Sequence, residues 1–252
     1  MPKFAGLVAA ILVGGLGTRL RESVADRPKA MAVINGQPFL YYLLEHLYRS
    51  GIQKVVLCTG YMGDYIEMGL GSSFRGMTLI YSREDRPLGT AGALKLAEPF
   101  FDGDEILVMN GDSFTEFNAQ ELLAWHRGRP AKISILLTKV NNADRFGYVE
   151  LDRQNRIVSF VEKGTGSIEG VISSGVYILA RDVIANMPDN IPCSLEDDIF
   201  SVHGASGLYG YLGGNSFIDI GTPDSYSVAG IFLDKIESRR LSNYQFRKEQ
   251  SE

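Results

Sequence analysis

The apolar run Leu7 to Val13 breaks off at Gly14-Gly15, and no other feature constrains the fold as strongly. An uninterrupted apolar stretch of this length suits a strand buried on both faces, as in a parallel sheet covered by helices on each side. The apolar N-terminal stretch from Phe4 to Leu12 is too short to span a bilayer, and it runs into a glycine turn rather than a small-residue cleavage site. The sequence therefore predicts a chain that opens with a core strand carrying a glycine turn at its carboxyl end.

The next segments of the chain keep the rhythm of such a sheet. After Pro38, the residues Phe39, Leu40, Leu43, Leu44 and Leu47 recur at helical spacing, and Gly51 lies just past the end. Lys54 to Thr59 reads as a second strand, Asp64 to Gly69 as a short helix and Met77 to Ser82 as a third strand. A helix from Ala91 to Ala97, a strand from Glu105 to Met109, a helix from Ala119 to Arg127 and a strand from Lys132 to Val140 continue the alternation. From Gly147 the pattern changes to strands separated by short turns, at Tyr148–Leu151, Ile157–Glu162 and Val176–Leu179, which predicts a mixed or antiparallel extension. Ser194 to Phe200 reads as a short helix, Tyr209–Leu212 and Ser216–Ile220 as strands, and Asp224–Arg240 as a terminal helix followed by a polar, frayed tail. No repeat, long linker or low-complexity tract divides the chain, so one domain over 1–252 is expected.

A formal net charge of −5 opposes any broad basic surface for nucleic acid or anionic membrane, although a pocket for a small anion needs only a few local cations. The two cysteines, Cys58 and Cys193, have no zinc-ligand company and fit a cytoplasmic protein without a disulfide framework. His46, His126 and His203 show no metal spacing and are assigned to packing or surface. No serine sits in a Gly-x-Ser-x-Gly elbow.

The chemistry-bearing residues cluster at predicted strand ends. Gly14, Gly15 and Gly17 let backbone N–H groups approach a phosphate, with Thr18 in the same turn and Arg19 as a charge-assisted donor. The turn lacks both the Gly-Lys-Ser/Thr of a P-loop and the third glycine of the dinucleotide fingerprint. Lys29, after Pro28, can fold back over the same phosphates as a point charge. Asp112, at the end of the strand that finishes at Met109, and Asp219, flanked by apolar residues at another strand end, suit magnesium, which takes few carboxylates and completes its octahedron with water and phosphate oxygens. Gly89 offers close backbone approach, and Thr90 offers a hydroxyl to cap the next helix. Glu162-Lys163 places both signs at the rim of a site. A nicotinamide-dependent enzyme would need an acid after the second strand, where this chain reads Cys58-Thr59-Gly60-Tyr61.

These segments, together with Pro87-Leu88-Gly89-Thr90-Ala91-Gly92-Ala93, Asn110-Gly111-Asp112, Phe146-Gly147-Tyr148-Val149, Gly175-Val176-Tyr177 and Asp219-Ile220-Gly221-Thr222-Pro223, form an ordered series along nearly the whole chain. The chain thereby resembles the sugar-1-phosphate nucleotidyltransferases. The resemblance implies a Rossmann-like, mostly parallel α/β sheet with helices on both faces and an inserted mixed or antiparallel sugar-binding portion. It divides the domain into 1–145 for the nucleotide, 146–223 for the sugar phosphate and second metal ligand, and 224–252 for the terminal helix and tail. It further implies Arg19 and Lys29 on phosphates, Asp112 and Asp219 on Mg2+, and Gly89 and Thr90 at the base. Gly147, Glu162, Lys163, Ser174 and Gly175 then line the sugar phosphate site.

Within the family the resemblance points to GTP and a manno-heptose 1-phosphate as substrates, for bacterial surface glycans. Mannose 1-phosphate with GTP, or an N-acetylmuramate-type sugar 1-phosphate with UTP, are the alternatives, and a nucleotide-sugar sensor is the non-enzymatic one. Glu84 suits the N1–H and amino group of guanine. Two departures stand out: Ser173-Ser174 precede Gly175 where many relatives carry asparagine, and no left-handed β-helix follows the last helix, so an acyltransferase role is not expected.

Overall fold

The computed structural model of the chain describes residues 7–17, 20, 24, 26–141, 143, 145–161 and 169–249. The apolar run forms strand β1 (Val8–Leu12), buried throughout except at Leu12. Val33–Ile34 (β2) and Gln37–Pro38 (β3) pair as a small hairpin over Asn35-Gly36, whose φ values of 50° and 80° suit a tight Asn-Gly turn. Helix α1 (Phe39–Arg49) comes next and stops before Gly51, which takes up φ +86°. Then come β4 (Lys54–Thr59), α2 (Gly63–Leu70), β5 (Ser73–Phe74), β6 (Met77–Arg83), α3 (Gly89–Ala97) and β7 (Glu105–Asn110).

Strands β4 and β7 flank β1 in parallel, with Ala9 opposite Val55 on one side and Leu107 on the other. β6 extends the parallel set, and β5 closes that edge antiparallel. The chain continues through β8 (Ser113–Glu116), α4 (Ala119–Arg127), β9 (Ile133–Val140), β10 (Tyr148–Leu151), β11 (Ile157–Val161) and β12 (Gly170–Ala180). It ends with α5 (Arg181–Ala185), a π-helical turn at Leu195–Phe200, α6 (Ser201–Gly207), β13 (Leu208–Gly214), β14 (Ser216–Asp219) and α7 (Pro223–Glu249). The order in the main sheet is β13-β9-β12-β7-β1-β4-β6-β5. β12 runs antiparallel to both β7 and β9, and β13 parallel to β9. The sheet is thus mostly parallel; apart from the short edge strand β5, its antiparallel pairing comes through β12, after the change of pattern at Gly147.

Period-two alternation sends neighbouring strand residues to opposite layers. Ala9, Ile11, Val55 and Leu57 pack with α1, α2, α4 and α7, whereas Val8, Ala10, Val56 and Cys58 pack with α3 and α5. Phe39, Leu40, Leu43, Leu44 and Leu47 of α1 are fully buried. Each such side chain contributes about 1.5–3 kcal/mol of transfer free energy. Cys58 and Cys193 are buried and unpaired. Among the described residues, no helix is long and apolar enough to cross a membrane.

The structure corrects several boundaries. β12 spans Gly170–Ala180 rather than Val176–Leu179, because the pairing with β9 resumes beyond an irregularity between Ser173 and Tyr177. Within the described residues β11 covers Ile157–Val161, and Glu162 and Lys163 lie outside them. β8, α5 and α6 are additional elements, each too short to impose a period. The terminal helix continues past Arg240 to Glu249 in place of the expected frayed tail.

Candidate active site

At the carboxyl ends of β1 and β7 the backbones come unusually close. Gly111 N donates to Leu12 O at 2.9 Å, and a Cβ at position 111 would stand 2.6 Å from that same oxygen. Only glycine fits there, and its fit delivers Asp112 to the mouth of the β1 turn. The antiparallel β8–β14 ladder sets Asp219 opposite Ser113, and Ile220 N donates to Asp112 O at 2.8 Å. Two carboxylates distant in sequence are thereby brought to one corner by backbone pairing.

Each carboxylate has its own cation. Lys29 Nζ donates to Asp112 Oδ2 at 2.7 Å, and its side chain is mostly buried against Gly17, where an added Cβ would lie 3.0 Å from Lys29 Cβ. Arg145 donates to Asp219 Oδ1 at 3.2 Å and to Thr222 Oγ1 at 3.4 Å, with its guanidinium over the Phe146 ring. Asp219 Oδ2 also accepts from Gly221 N at 2.9 Å.

Two cavities meet at this corner. One, of about 190 Å³, is lined by the glycine turn at Gly15 and Gly17 and by Gly111. The other, of about 640 Å³, extends toward Gly147, Ser173, Gly175, Tyr177, Glu196 and Asp197. Lys29, Asp112 and Gly221 line both.

The remaining residues singled out by the sequence take varied places. Gly14 lies beside Glu84, whose Oε1 would stand 2.9 Å from a Cβ at position 14. Glu84 Oε2 accepts from Leu88 N at 3.0 Å; burial raises the carboxyl pKa, and the Leu88 amide offsets part of the rise. Gly89 is pressed against the Cys193 carbonyl. Thr90 does not cap α3, which starts at Gly89 without a side-chain cap; its hydroxyl instead accepts from Leu195 N at 2.7 Å and reaches Glu196 Oε2 at 3.4 Å. The connection Ile191–Cys193 packs closely on Gly89 and Gly92 of α3, and the residues after it bring Leu195 N to the hydroxyl.

Gly147 and Gly175 line the larger cavity, and Gly175, at φ +72°, lies against Asn110 and Ser113, where a side chain would not fit. Ser174 also borders it, but its buried hydroxyl donates to Leu136 O at 2.8 Å and can offer a ligand only acceptor capacity. Thr18, Arg19, Glu162 and Lys163 lie outside the described residues.

The structure adds Arg145 and Glu196, and gives side-chain places to Thr222, Asn110 and Tyr177, which the sequence names only within motifs; the buried Tyr177 hydroxyl donates to Glu196 Oε1 at 2.9 Å. Arg145 directly precedes the Phe146-Gly147 motif, yet a lone arginine in a polar loop gives no sequence signal. The Tyr177–Glu196 pairing depends on a tertiary contact that no local spacing reveals.

Among the described residues, no group of three or more His, Cys, Asp or Glu side chains is arranged to hold a metal ion by itself. The Asp112–Asp219 corner nevertheless fits a hard divalent cation that draws its other oxygens from water and phosphate. The same corner, with two cations beside a glycine turn, can neutralise clustered phosphate charge.

Relatives share this arrangement of elements. A D-glycero-alpha-D-manno-heptose 1-phosphate guanylyltransferase from Aneurinibacillus thermoaerophilus is 36% identical over 222 residues, covering 88% of this chain and 96% of the relative. A mannose-1-phosphate guanylyltransferase from Mycobacterium tuberculosis is 34% identical over 222 residues, covering 86% of this chain and 62% of the relative. The crystal structure of HddC from Yersinia pseudotuberculosis complexed with GMP-PN superposes with a TM-score of 0.79 at 33% identity, covering 88% of this chain and 97% of that one. The nucleotidyl transferase family profile matches residues 8–235, and with these relatives it establishes that the chain belongs to the nucleotidyl transferase family.

Proposed function

We propose that the protein transfers GMP from GTP to a sugar 1-phosphate, with D-glycero-α-D-manno-heptose 1-phosphate as the acceptor, releasing pyrophosphate and forming a GDP-sugar for surface glycan synthesis. The observation that carries this reading is the shared wall of the two cavities. Lys29, Asp112 and Gly221 border both, so a triphosphate over the glycine turn and a sugar phosphate in the larger cavity would meet there. GTP as substrate also favours a cytoplasmic location.

In the reaction an oxygen of the sugar phosphate attacks the α-phosphorus. A new P–O bond forms as the bond from the α-phosphorus to the bridging oxygen of the β-phosphate breaks, and pyrophosphate leaves with that electron pair. No general base is required, because a phosphate monoester with a second pKa of about 6 is largely dianionic at neutral pH. The protein's work is positioning and charge neutralisation. Lys29 faces both substrates and stabilises charge on the transferring phosphoryl group, and Arg19 is assigned to the triphosphate. Asp112 and Asp219 would hold Mg2+, which when bound supplies Lewis-acid stabilisation of phosphate oxygens. Glu84, whose Oε1 lies beside Gly14 and Gly60, is assigned to the guanine N1–H and amino group on chemical fit, a carboxylate being an acceptor for both.

The far wall of the larger cavity bears on the sugar. Glu196 and Asp197 stand there, beside the Tyr177 hydroxyl. Carboxylates accept hydrogen bonds from sugar hydroxyls but oppose a carboxylate on the sugar, which favours a neutral hexose or heptose over N-acetylmuramic acid. Heptose is supported by the A. thermoaerophilus relative, and mannose 1-phosphate is the second reading, on the M. tuberculosis relative.

Pyrophosphate release with Mg2+, measured across five nucleoside triphosphates and across heptose, mannose, glucose and N-acetylmuramic acid 1-phosphates, tests the reading. Release is expected with GTP and heptose 1-phosphate, and least with the acidic sugar. Another productive pair would move the substrate assignment, and silence with every pair would favour a nucleotide-sugar sensor.

Glu84→Gln should weaken GTP selectivity over ATP by about 10- to 100-fold, since one acceptor oxygen becomes a donor facing other donors. The same variant should melt slightly higher. Burial raises the Glu84 pKa in the folded state, so the site favours the protonated form, and its stabilising contribution disappears as pH rises above the ordinary carboxylate range. The gain in melting temperature should therefore be larger at pH 8 than at pH 4. Unchanged nucleotide selectivity would remove Glu84 from the base site.

A further inference from the structure

The proposed metal corner is held together by two ion pairs, and they differ in kind. Lys29 reaches Asp112 along a buried stem, with its side chain only 13% exposed. Arg145 reaches Asp219 from the loop before Gly147 with a side chain 41% exposed. A single terminal nitrogen of Arg145 spreads over three oxygens, at 3.2 and 3.5 Å from the two Asp219 oxygens and 3.4 Å from Thr222 Oγ1. None of these contacts is short, and none is the paired fork that makes arginine–carboxylate bonds strong. The Asp219 carboxylate is itself well fixed, since Gly221 N donates to its Oδ2 at 2.9 Å and β14 pairs with β8. The carboxylate is rigid, and the cation upon it is loosely attached.

On this geometry, and on the proposed function above, we infer that Arg145 is a counter-cation that occupies Asp219 until a divalent cation takes its place, and is then free to turn to the phosphate of the sugar substrate. A guanidinium and a metal ion compete for the same carboxylate oxygens, so each weakens the other at Asp219. Arg145 lines the larger cavity along with Lys29 and Gly147, so a modest rotation leaves its charge among the phosphate oxygens expected there. The Phe146 ring, 5.0 Å from the guanidinium carbon, gives that charge a surface to rest on in either position. Exchange of this kind keeps the corner near neutral before substrates arrive and supplies a phosphate ligand once they bind.

The test is Mn2+ binding to the full-length protein without nucleotide, followed by electron paramagnetic resonance, in wild type, Arg145→Met, Asp219→Asn and the double variant. An exposed ion pair is worth up to about 1 kcal/mol, so freeing Asp219 should tighten Mn2+ by up to about 5-fold in Arg145→Met, and adding Asp219→Asn to that variant should abolish the gain. In steady-state assays, Arg145→Met should raise KM for the sugar 1-phosphate about 10-fold or more, with the KM for GTP little changed and Arg145→Lys recovering part of the loss. Asp219-dependent Mn2+ binding with no gain in Arg145→Met overturns the inference alone. Mn2+ binding that ignores Asp219→Asn overturns it together with the metal assignment, whatever the pyrophosphate assay shows.

Discussion

Lys29→Ala should lower kcat/KM by about 10³-fold or more, the scale of removing one charged stabiliser of a transferring phosphoryl group. The melting temperature should stay within a few degrees of wild type. Asp112, the partner left behind, has a side chain 46% exposed, so water solvates the freed carboxylate and little stability is lost. Asp112→Asn should cost a similar factor for a different reason: it keeps shape and hydrogen bonding but removes the charge that a divalent cation needs. The two losses should be less than additive in the double variant, because both groups act on one phosphoryl group at one corner. Single-turnover pyrophosphate release with saturating substrates checks this. Wild-type turnover in either single variant would sink the assignment of the corner as the reacting centre.

That corner also shows what the sequence makes legible. Gly14-Gly15 after an apolar run, and Asn110-Gly111-Asp112 after another, mark the ends of buried parallel strands, where open α/β sheets bind ligands. Reading those two positions requires only local pattern. Asp219 is legible for the same reason, as a charge between apolar residues at a strand end. What local pattern does not carry is the pairing of β8 with β14, which turns two separate aspartates into one site. β8 is four residues long and begins directly after the polar Asp112, too short to show a period. Arg145 and Glu196 are hidden likewise: each acquires its meaning from a partner far along the chain, Asp219 for one and Tyr177 for the other. Thr90 misleads for the complementary reason. Its position before a helical run suggests a cap, but the chain at Leu195 presents an N–H that claims the hydroxyl.

Acid should destabilise the fold through His46 more than through any surface carboxylate. The ring is 5% exposed, in α1, packed on Phe114 and Phe117, and its Nδ1 lies 3.1 Å from an Arg240 nitrogen of α7. Burial, then the charges of Arg240 and Arg49, lower its pKa to about 3. The unfolded chain, with an ordinary histidine pKa of about 6.5, binds a proton across the interval that the folded chain refuses. Stability must therefore fall as pH drops from about 6.5 toward 3, by up to about 1.4 kcal/mol per pH unit from this one group. His46→Gln keeps an acceptor for Arg240 and cannot titrate.

Chemical-denaturant unfolding of both proteins at pH 7.5, 6, 5 and 4 isolates the contribution of the ring, since the remaining ionisations cancel in the difference. The variant's stability relative to wild type should improve steadily below pH 6, and a difference independent of pH would exclude the buried ring as the source. The ring's neighbours also lead to the site. Phe114 lies in β8, the strand that holds Asp219 opposite Ser113, and Arg240 binds Glu116 at the other end of the same strand. The folded ring takes up a proton only near its lowered pKa of about 3, so the third positive charge beside Arg240 and Arg49, and any strain on the α1–β8 contact, is confined to strong acid. Between about pH 6.5 and 4, activity per folded molecule should accordingly be the same in wild type and His46→Gln, while the folded fraction under denaturing stress differs.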